Sequence, residues 1–245
     1  MSATVTILLA GLVVFSTHAL EAITGFGCTV LALPFITALF GLKPGVMTLT
    51  VLAWILAVYI AVTKRKDIVW KAWLVIVAFV LAGLPIGMYL FRHVDAAPLK
   101  KVLAAFIILA SSLQLFGALV PRAAGRKLSK PLGFVLLFFG GIVHGLFSSG
   151  GPLVVLYASD ALPDKGKFRA TLCLLWATLN TIIITSYFVS GNVTAEVAGK
   201  TGLMLPFLAA GIVVGEWAHK RVKPQAFRII VFSMLLVTGI IMLVS

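Results

Sequence analysis

The chain has little charge and almost no cysteine. Only 11% of its 245 residues are charged, and just seven are acidic, against 61% that are hydrophobic. A water-soluble domain needs far more polar surface than that, so a soluble fold is excluded. The two cysteines, Cys28 and Cys173, both lie in apolar sequence. They provide no disulfide framework and no metal-ligand spacing, and neither a metal nor a cofactor is expected. Short strands of alternating polarity are also missing, which argues against a transmembrane β-barrel. The formal charge of +13 would suit nucleic acid, but the lysines and arginines sit in short connections between apolar runs. With no continuous basic groove, no nucleic-acid partner is expected, and these residues read as topology signals. The opening MSATVTILLAGLVVF lacks the basic flank of a signal peptide, so it is expected to stay as a helix that starts outside.

What the chain does have is a series of long apolar runs. About 20 such residues cross a bilayer. Lipid offers no partner to backbone amides, so the runs must be helices, or broken helices whose loose ends are covered by protein. The fold class expected is an all-α polytopic membrane protein. Residues 4–41 are apolar apart from His18, Glu21 and a few hydroxyls, too many for one span at a rise of about 1.5 Å per residue. They are expected to form a hairpin turning at Gly25–Gly27. Spans over 45–63, 72–91 and 102–120 follow. Residues 131–161 repeat the plan with a hairpin turning at Ser148–Gly151, followed by spans over 170–189, 202–219 and 226–244.

The two halves correspond at residue level. His18 and His144 stand 126 apart, each just before a glycine turn, and Gly83 and Gly87 recur at Gly211 and Gly215, offset by 128. The expected organisation is a first repeat over 1–121, a cytoplasmic linker over 122–130 and a second repeat over 131–245. Each repeat is a broken or re-entrant hairpin plus three transmembrane helices. If each hairpin enters and leaves on one side, the repeats are inverted, and fifteen of the twenty Lys and Arg fall on one face. Lys43, Arg92, Lys100, Lys101 and Lys200 fall on the other. Parallel repeats would leave no bias, so the positive-inside rule selects the inverted arrangement with both ends outside. The location expected is the cytoplasmic (inner) membrane.

Inverted hairpins bring their tips together near the midplane. The helix leaving each tip starts there with unpaired amides and the positive end of its dipole, which makes an anion site. Thr24, Gly25, Phe26, Gly27 and Cys28 in the first turn, and Ser148, Ser149, Gly150 and Gly151 in the second, are the candidate substrate contacts. Thr29 adds a further hydroxyl. No Lys or Arg lies in the centre of a span, so amides and hydroxyls must hold the anion. The competing reading is that the glycines serve close helix packing. His18, Glu21 and His144 are the ionisable groups nearest the tips and are candidates for proton coupling. Against this, Glu21 could simply pair with His18 one turn away. Trp54 and Trp176, at comparable places in the halves, wall a cavity or pack. Asn180 and Gln114 read as helix-holding groups, and Glu216 as an interfacial partner of the Lys220 cluster.

The segments GFGCTVLALP at 25–34, GLFSSGGPLVVLY at 145–157 and FRATL at 168–172, with GLPIG at 83–87 and GIVVG at 211–215, resemble the repeat signatures of the TauE/SafE family of sulfite exporters. The family's first signature carries a further glycine where this chain has Cys28. The resemblance implies transport of a small inorganic or organic sulfur anion, such as sulfite or an organosulfonate. It also implies contacts at Gly25, Phe26 and Gly27 and at Ser148, Ser149, Gly150 and Gly151. The leading expectation is a secondary transporter alternating access to the midplane site, with a proton or sodium ion as the coupling ion and the glycine pairs letting helices slide. A passive anion channel, or an intramembrane enzyme or assembly factor using Glu21 and His144, is the alternative.

Overall fold

The computed structural model describes residues 2–119, 129–162 and 164–219, with six helical positions between 233 and 243. The linker expected over 122–130 and the last span over 226–244 therefore lie largely outside the described residues, as does the Lys220 cluster.

Helix α1 (Ala3–Thr24) begins where the Ser2 side chain accepts from the Val5 amide and ends at Gly25. Helix α2 (Cys28–Phe40) follows after three residues. Gly25 and Gly27 both take left-handed backbone, φ +86° and +105°, a conformation that costs a residue with a Cβ about 1–2 kcal/mol. Two such residues flanking Phe26 reverse the chain. Gly41 separates α2 from α3 (Leu42–Thr63), and a single 3-10 turn leads to α4 (Trp70–His93) and then α5 (Ala96–Leu119). The second hairpin is α6 (Lys130–Phe147) and α7 (Gly151–Ala161). Helix α8 (Lys165–Val189) is capped by Asp164, and α9 (Ala195–Ala218) by Thr194.

The protein is an all-helical multi-pass membrane protein. Among the described residues seven helices are long and apolar enough to cross a bilayer, while α2 is shorter at 13 residues. At about 1.5 Å per residue, α2 and the 11-residue α7 cover roughly 20 and 16 Å. Leu8, Leu12, Phe116, Val213 and Trp217 point outward, as a lipid-facing surface requires.

Three helix pairs carry the packing: α1 with α9, α4 with α6, and α3 with α8. The first two are parallel pairs made close by glycine. A Cβ on Gly211 would stand 2.7 Å from the Phe15 carbonyl oxygen, and one on Gly215 would stand 2.5 Å from that of Ala19. Gly83 and Gly87 meet the backbone of Phe138 and Ile142 in the same way, and Gly141 and Gly145 answer from the other side against Val80 and Leu84. Such clearance lets backbones touch and gain dispersion contacts that lipid would not supply. The glycine pairs at 83/87 and 211/215 are thus seated in close helix contacts.

Each end of the bundle has its own polar cluster. At one end Arg169, early in α8, is paired with Glu216 of α9, and Lys64 of α3 lies 3.8 Å from Glu216. At the other, Lys200 Nζ donates to the Phe40 carbonyl, Lys43 Nζ to the Arg92 carbonyl, and Arg92 to Ser186.

Candidate functional site

The two turns meet at one small cavity. It is lined by Glu21, Gly27, Thr29 and Val30 from the first hairpin, His144, Ser148, Ser149, Gly151 and Pro152 from the second, Ala53 of α3, and Trp176 and Asn180 of α8. Ala53 is the twelfth of the 22 residues of α3, and Trp176 the twelfth of the 25 of α8. The cavity therefore lies at mid-depth of both long helices. Its free space is about 20 Å³, room for roughly one water molecule.

Two helix starts face this space. In α2 the first amide to bond back along the chain is Leu31, to the Gly27 carbonyl; in α7 it is Val154, to Gly150. Helix geometry leaves the amides before them without intrahelical acceptors. The Cys28 amide is taken by the Glu21 carboxylate at 2.8 Å, so Thr29 and Val30 are the lining residues of α2 whose amides helix geometry leaves without an acceptor. In α7 the counterpart at the cavity is the Gly151 amide, since Pro152 carries no N–H and Leu153 does not line the space.

The polar side chains sort by what their protons already do. Thr50 donates to the Val46 carbonyl at 2.8 Å and stands 2.6 Å from Ser148 Oγ. A hydroxyl has one proton, so Ser148 is the donor in that pair. Ser148 is also the only described non-glycine residue with positive φ, +50°, held there as the cap of α6. Ser149 is 4% exposed, and its hydroxyl bonds to no described residue. A buried unpaired hydroxyl is costly, which makes Ser149 the readiest side-chain donor in the cavity.

His144 is fixed as a neutral tautomer by its partners. The Gly150 N–H can only donate, so His144 Nδ1 accepts from it at 3.4 Å; Nε2 then carries the proton and donates to Asn180 Oδ1 at 3.0 Å. The Asn180 amide group is left to face the cavity as a donor. The imidazole also stacks on Trp176, ring centres 5.3 Å apart. Trp176 Nε1 in turn donates to the Gly25 carbonyl at 3.0 Å, so α8 ties one turn to the other. A second proton on His144 would set two donors against each other at Nδ1, which speaks against His144 as a proton carrier.

Glu21 and His18 do not pair. His18 Nδ1 donates to the Val14 carbonyl at 2.8 Å, and Glu21 reaches forward to Cys28 instead. The helix start at Cys28 offers the carboxylate an amide and a positive dipole end, which a histidine held on its own helix cannot match. Glu21 is 3% exposed and borders the cavity, whereas His18 is fully buried and does not border it.

Among the expected contacts, Gly27, Ser148, Ser149 and Gly151 line the cavity, and Thr24, Gly25, Phe26, Cys28 and Gly150 do not. Thr24 spends its hydroxyl on the carbonyls of Leu20 and Phe26. The α-carbon of Gly25 lies against Arg169, and Gly150 against the Gly140 carbonyl and His144. Phe26 packs edge-on to Phe168, and its ring stands 3.6 Å from where a Gly151 Cβ would be. The residues underweighted in the sequence are Trp176 and Asn180. The available signal for Asn180 was a lone carboxamide in mid-span. Trp54, by contrast, bonds Thr181 across α3 and α8, a packing role. Glu216 is held by Arg169 and Lys64. Among the described residues no group of three or more His, Cys, Asp or Glu is placed to hold a metal ion.

Comparison with known proteins gives a consistent picture. The family model described as "Sulfite exporter TauE/SafE" matches residues 8–242. A curated protein of Cupriavidus necator, named "Probable sulfite/organosulfonate exporter TauE", is 22% identical over 224 residues, 89% of this chain and 86% of its own. No solved structure matches the chain.

Proposed function

Because the chain belongs to the sulfite exporter TauE/SafE family, whose members are transporters and not enzymes, we propose that it exports a small sulfur anion such as sulfite or an organosulfonate across the cytoplasmic membrane. It does so as a secondary transporter that alternates access to the cavity between the two turns. The observation that carries this reading is the meeting of two helix starts, the Ser149 hydroxyl and the Asn180 amide around one space at mid-depth. Backbone amides and dipole ends hold an anion without a fixed countercharge, and so also let it leave.

The repeats are inverted. The reciprocal packing of α1 on α9 and α6 on α4 supports this, as does the position of each turn: Gly25 rests near the start of α8, and Ser148 beside Thr50 in the first half of α3. Lys64 and Arg169 gather at one end while Lys43, Arg92 and Lys200 lie at the other, consistent with the charge-based orientation and chain ends outside.

Glu21 is the coupling group. An ionised Glu21 and a bound anion would repel across a few ångströms in a poorly screened space. Anion and proton therefore bind together, and both travel. Beyond the lining, the first turn packs on the Phe26–Phe168 contact and against Arg169, which is paired with Glu216. With free space of about 20 Å³, this favours alternating access over an open channel.

The test is flux of labelled sulfite in proteoliposomes. Sulfite on the far side should stimulate counterflow, and an imposed pH gradient should drive uptake. Glu21→Gln should keep sulfite exchange but lose its response to the pH gradient. Flux that is linear in sulfite and unaffected from the far side would instead mean a channel, and a Glu21→Gln protein still driven by pH would place the proton elsewhere.

A further inference from the structure

A second cavity opens at the other end of α3. It is lined by Lys43 and Met47 at the start of α3, Phe91, Arg92 and His93 at the end of α4, and Ser190 and Asn192 after α8, with a volume of about 330 Å³. That is far more room than the central cavity holds. Every ionisable group lining it is basic, and neither Lys43 nor Arg92 makes an ion pair with a described residue. Lys43 Nζ makes one long bond, 3.4 Å to the Arg92 carbonyl, and stands 5.9 Å from the centre of the Phe91 ring. Two of its three protons remain available. Arg92 spends one nitrogen on Ser186 and keeps the rest of its fork.

The position of these cations is unusual for their end of the bundle. Only five of the twenty Lys and Arg fall there by the charge count, on the side where the positive-inside rule favours few. Yet two of the five line this one cavity. Met47 of the second cavity and Ala53 of the central one are six residues apart on α3, a rise of about 9 Å, and Thr50 between them bonds Ser148. Along the way the Phe91 and Tyr187 rings, 2% and 4% exposed, lie 6.0 Å apart.

We propose that Lys43, Arg92 and His93 form an oxyanion-collecting vestibule, a second and weaker site that feeds or drains the central cavity past the Phe91–Tyr187 pair. The inference goes beyond the proposed transport function, adding a site with fixed positive charge where the central one has none. A basic cavity raises the local anion concentration and the rate of capture, an effect that salt screens. Removing one charge should weaken occupancy about threefold at low salt.

The test uses the detergent-purified full chain and trifluoromethanesulfonate, a small sulfonate whose weak binding is read as broadening of its fluorine resonance. Broadening should persist in Gly151→Val, which fills the central cavity, and should fall about threefold in Lys43→Gln and further in Lys43→Gln/Arg92→Gln. It should also fall in wild type as salt rises. Lys43→Arg and Arg92→Lys keep the charge and should keep the broadening, which separates charge from the structural bond to Ser186. The vestibule is refuted if the doubly neutral protein, melting as wild type does, broadens the line as much as wild type. It is equally refuted if Gly151→Val alone removes the broadening. Normal sulfite transport by Gly151→Val would instead count against the central site and leave the vestibule result standing.

Discussion

Gly151 allows the central site to be tested without disturbing the fold. It is the first residue of α7, and its backbone is not in the left-handed region. A Cβ added there would meet the Phe26 ring at 3.6 Å, the Phe26 Cβ at 3.8 Å and Trp176 at 3.9 Å, all ordinary contacts. Gly151→Ala should therefore fold normally and, because alanine is the better helix former, lose no stability. Gly151 lines the free space of about 20 Å³, and the added methyl takes up about as much room as one water molecule, ~30 Å³. Overpacking by one such group costs about 1–3 kcal/mol, which corresponds to sulfite binding weakened about 5- to 150-fold. The assay is the concentration dependence of labelled sulfite uptake in proteoliposomes, alongside thermal melting in detergent. Gly150→Ala is the contrasting control, because its Cβ would run into the Gly140 carbonyl and stand 3.0 Å from the His144 Cβ, so stability and transport should fall together. A Gly151→Ala protein with wild-type melting and wild-type KM would refute the placement of the anion between the turns.

Ser149→Ala removes a buried hydroxyl that bonds to no described residue. Melting should hold or rise slightly while sulfite affinity drops by about 1.5–3 kcal/mol, the worth of a hydrogen bond to a charge, readable in the same uptake curves. Arg169→Ala takes its nearer cation from the partly buried Glu216 and leaves it Lys64 at 3.8 Å, so the melting temperature should fall by less than breaking a fully buried pair, at about 3–5 kcal/mol, would cause; Arg169→Met with Glu216→Leu should recover part of it. Gly211→Ala forces a Cβ to 2.7 Å from the Phe15 carbonyl oxygen and should cost about 1–3 kcal/mol, seen as lower melting with no selective change in KM. His219, just past α9, is held below its ordinary pKa of 6.5 by burial and by the nearby Arg169 and Lys165 charges, against the pull of its bond to Ile23. A base with a depressed folded-state pKa stabilises the neutral form, so its contribution is present above pH ~6.5 and is lost as pH falls below it. His219→Gln should therefore lessen the drop in melting temperature between pH 7.5 and 5.5.

Run lengths and chain breaks are local quantities, and so the hairpins could be read from the residues alone. The turns at Gly25–Gly27 and Ser148–Gly151 and the helix that follows each required nothing beyond an over-long apolar stretch and residues able to reverse it. Spacing along one helix also identified Glu21 and His144 as groups near the tips. The individual roles were beyond such reading, because each is set by a partner far away in the chain. Trp176 is bonded to Gly25, 151 residues distant, and Asn180 to His144, 36 distant. Gly150 and Gly151 are chemically identical neighbours, yet one presses on α6 and the other opens on the cavity. Which face of a turn meets protein and which meets empty space depends on how whole helices pack, and side-chain-free glycine carries no mark of it in one dimension. The same holds for Lys43 and Arg92, 49 residues apart in sequence, which packing brings to one cavity.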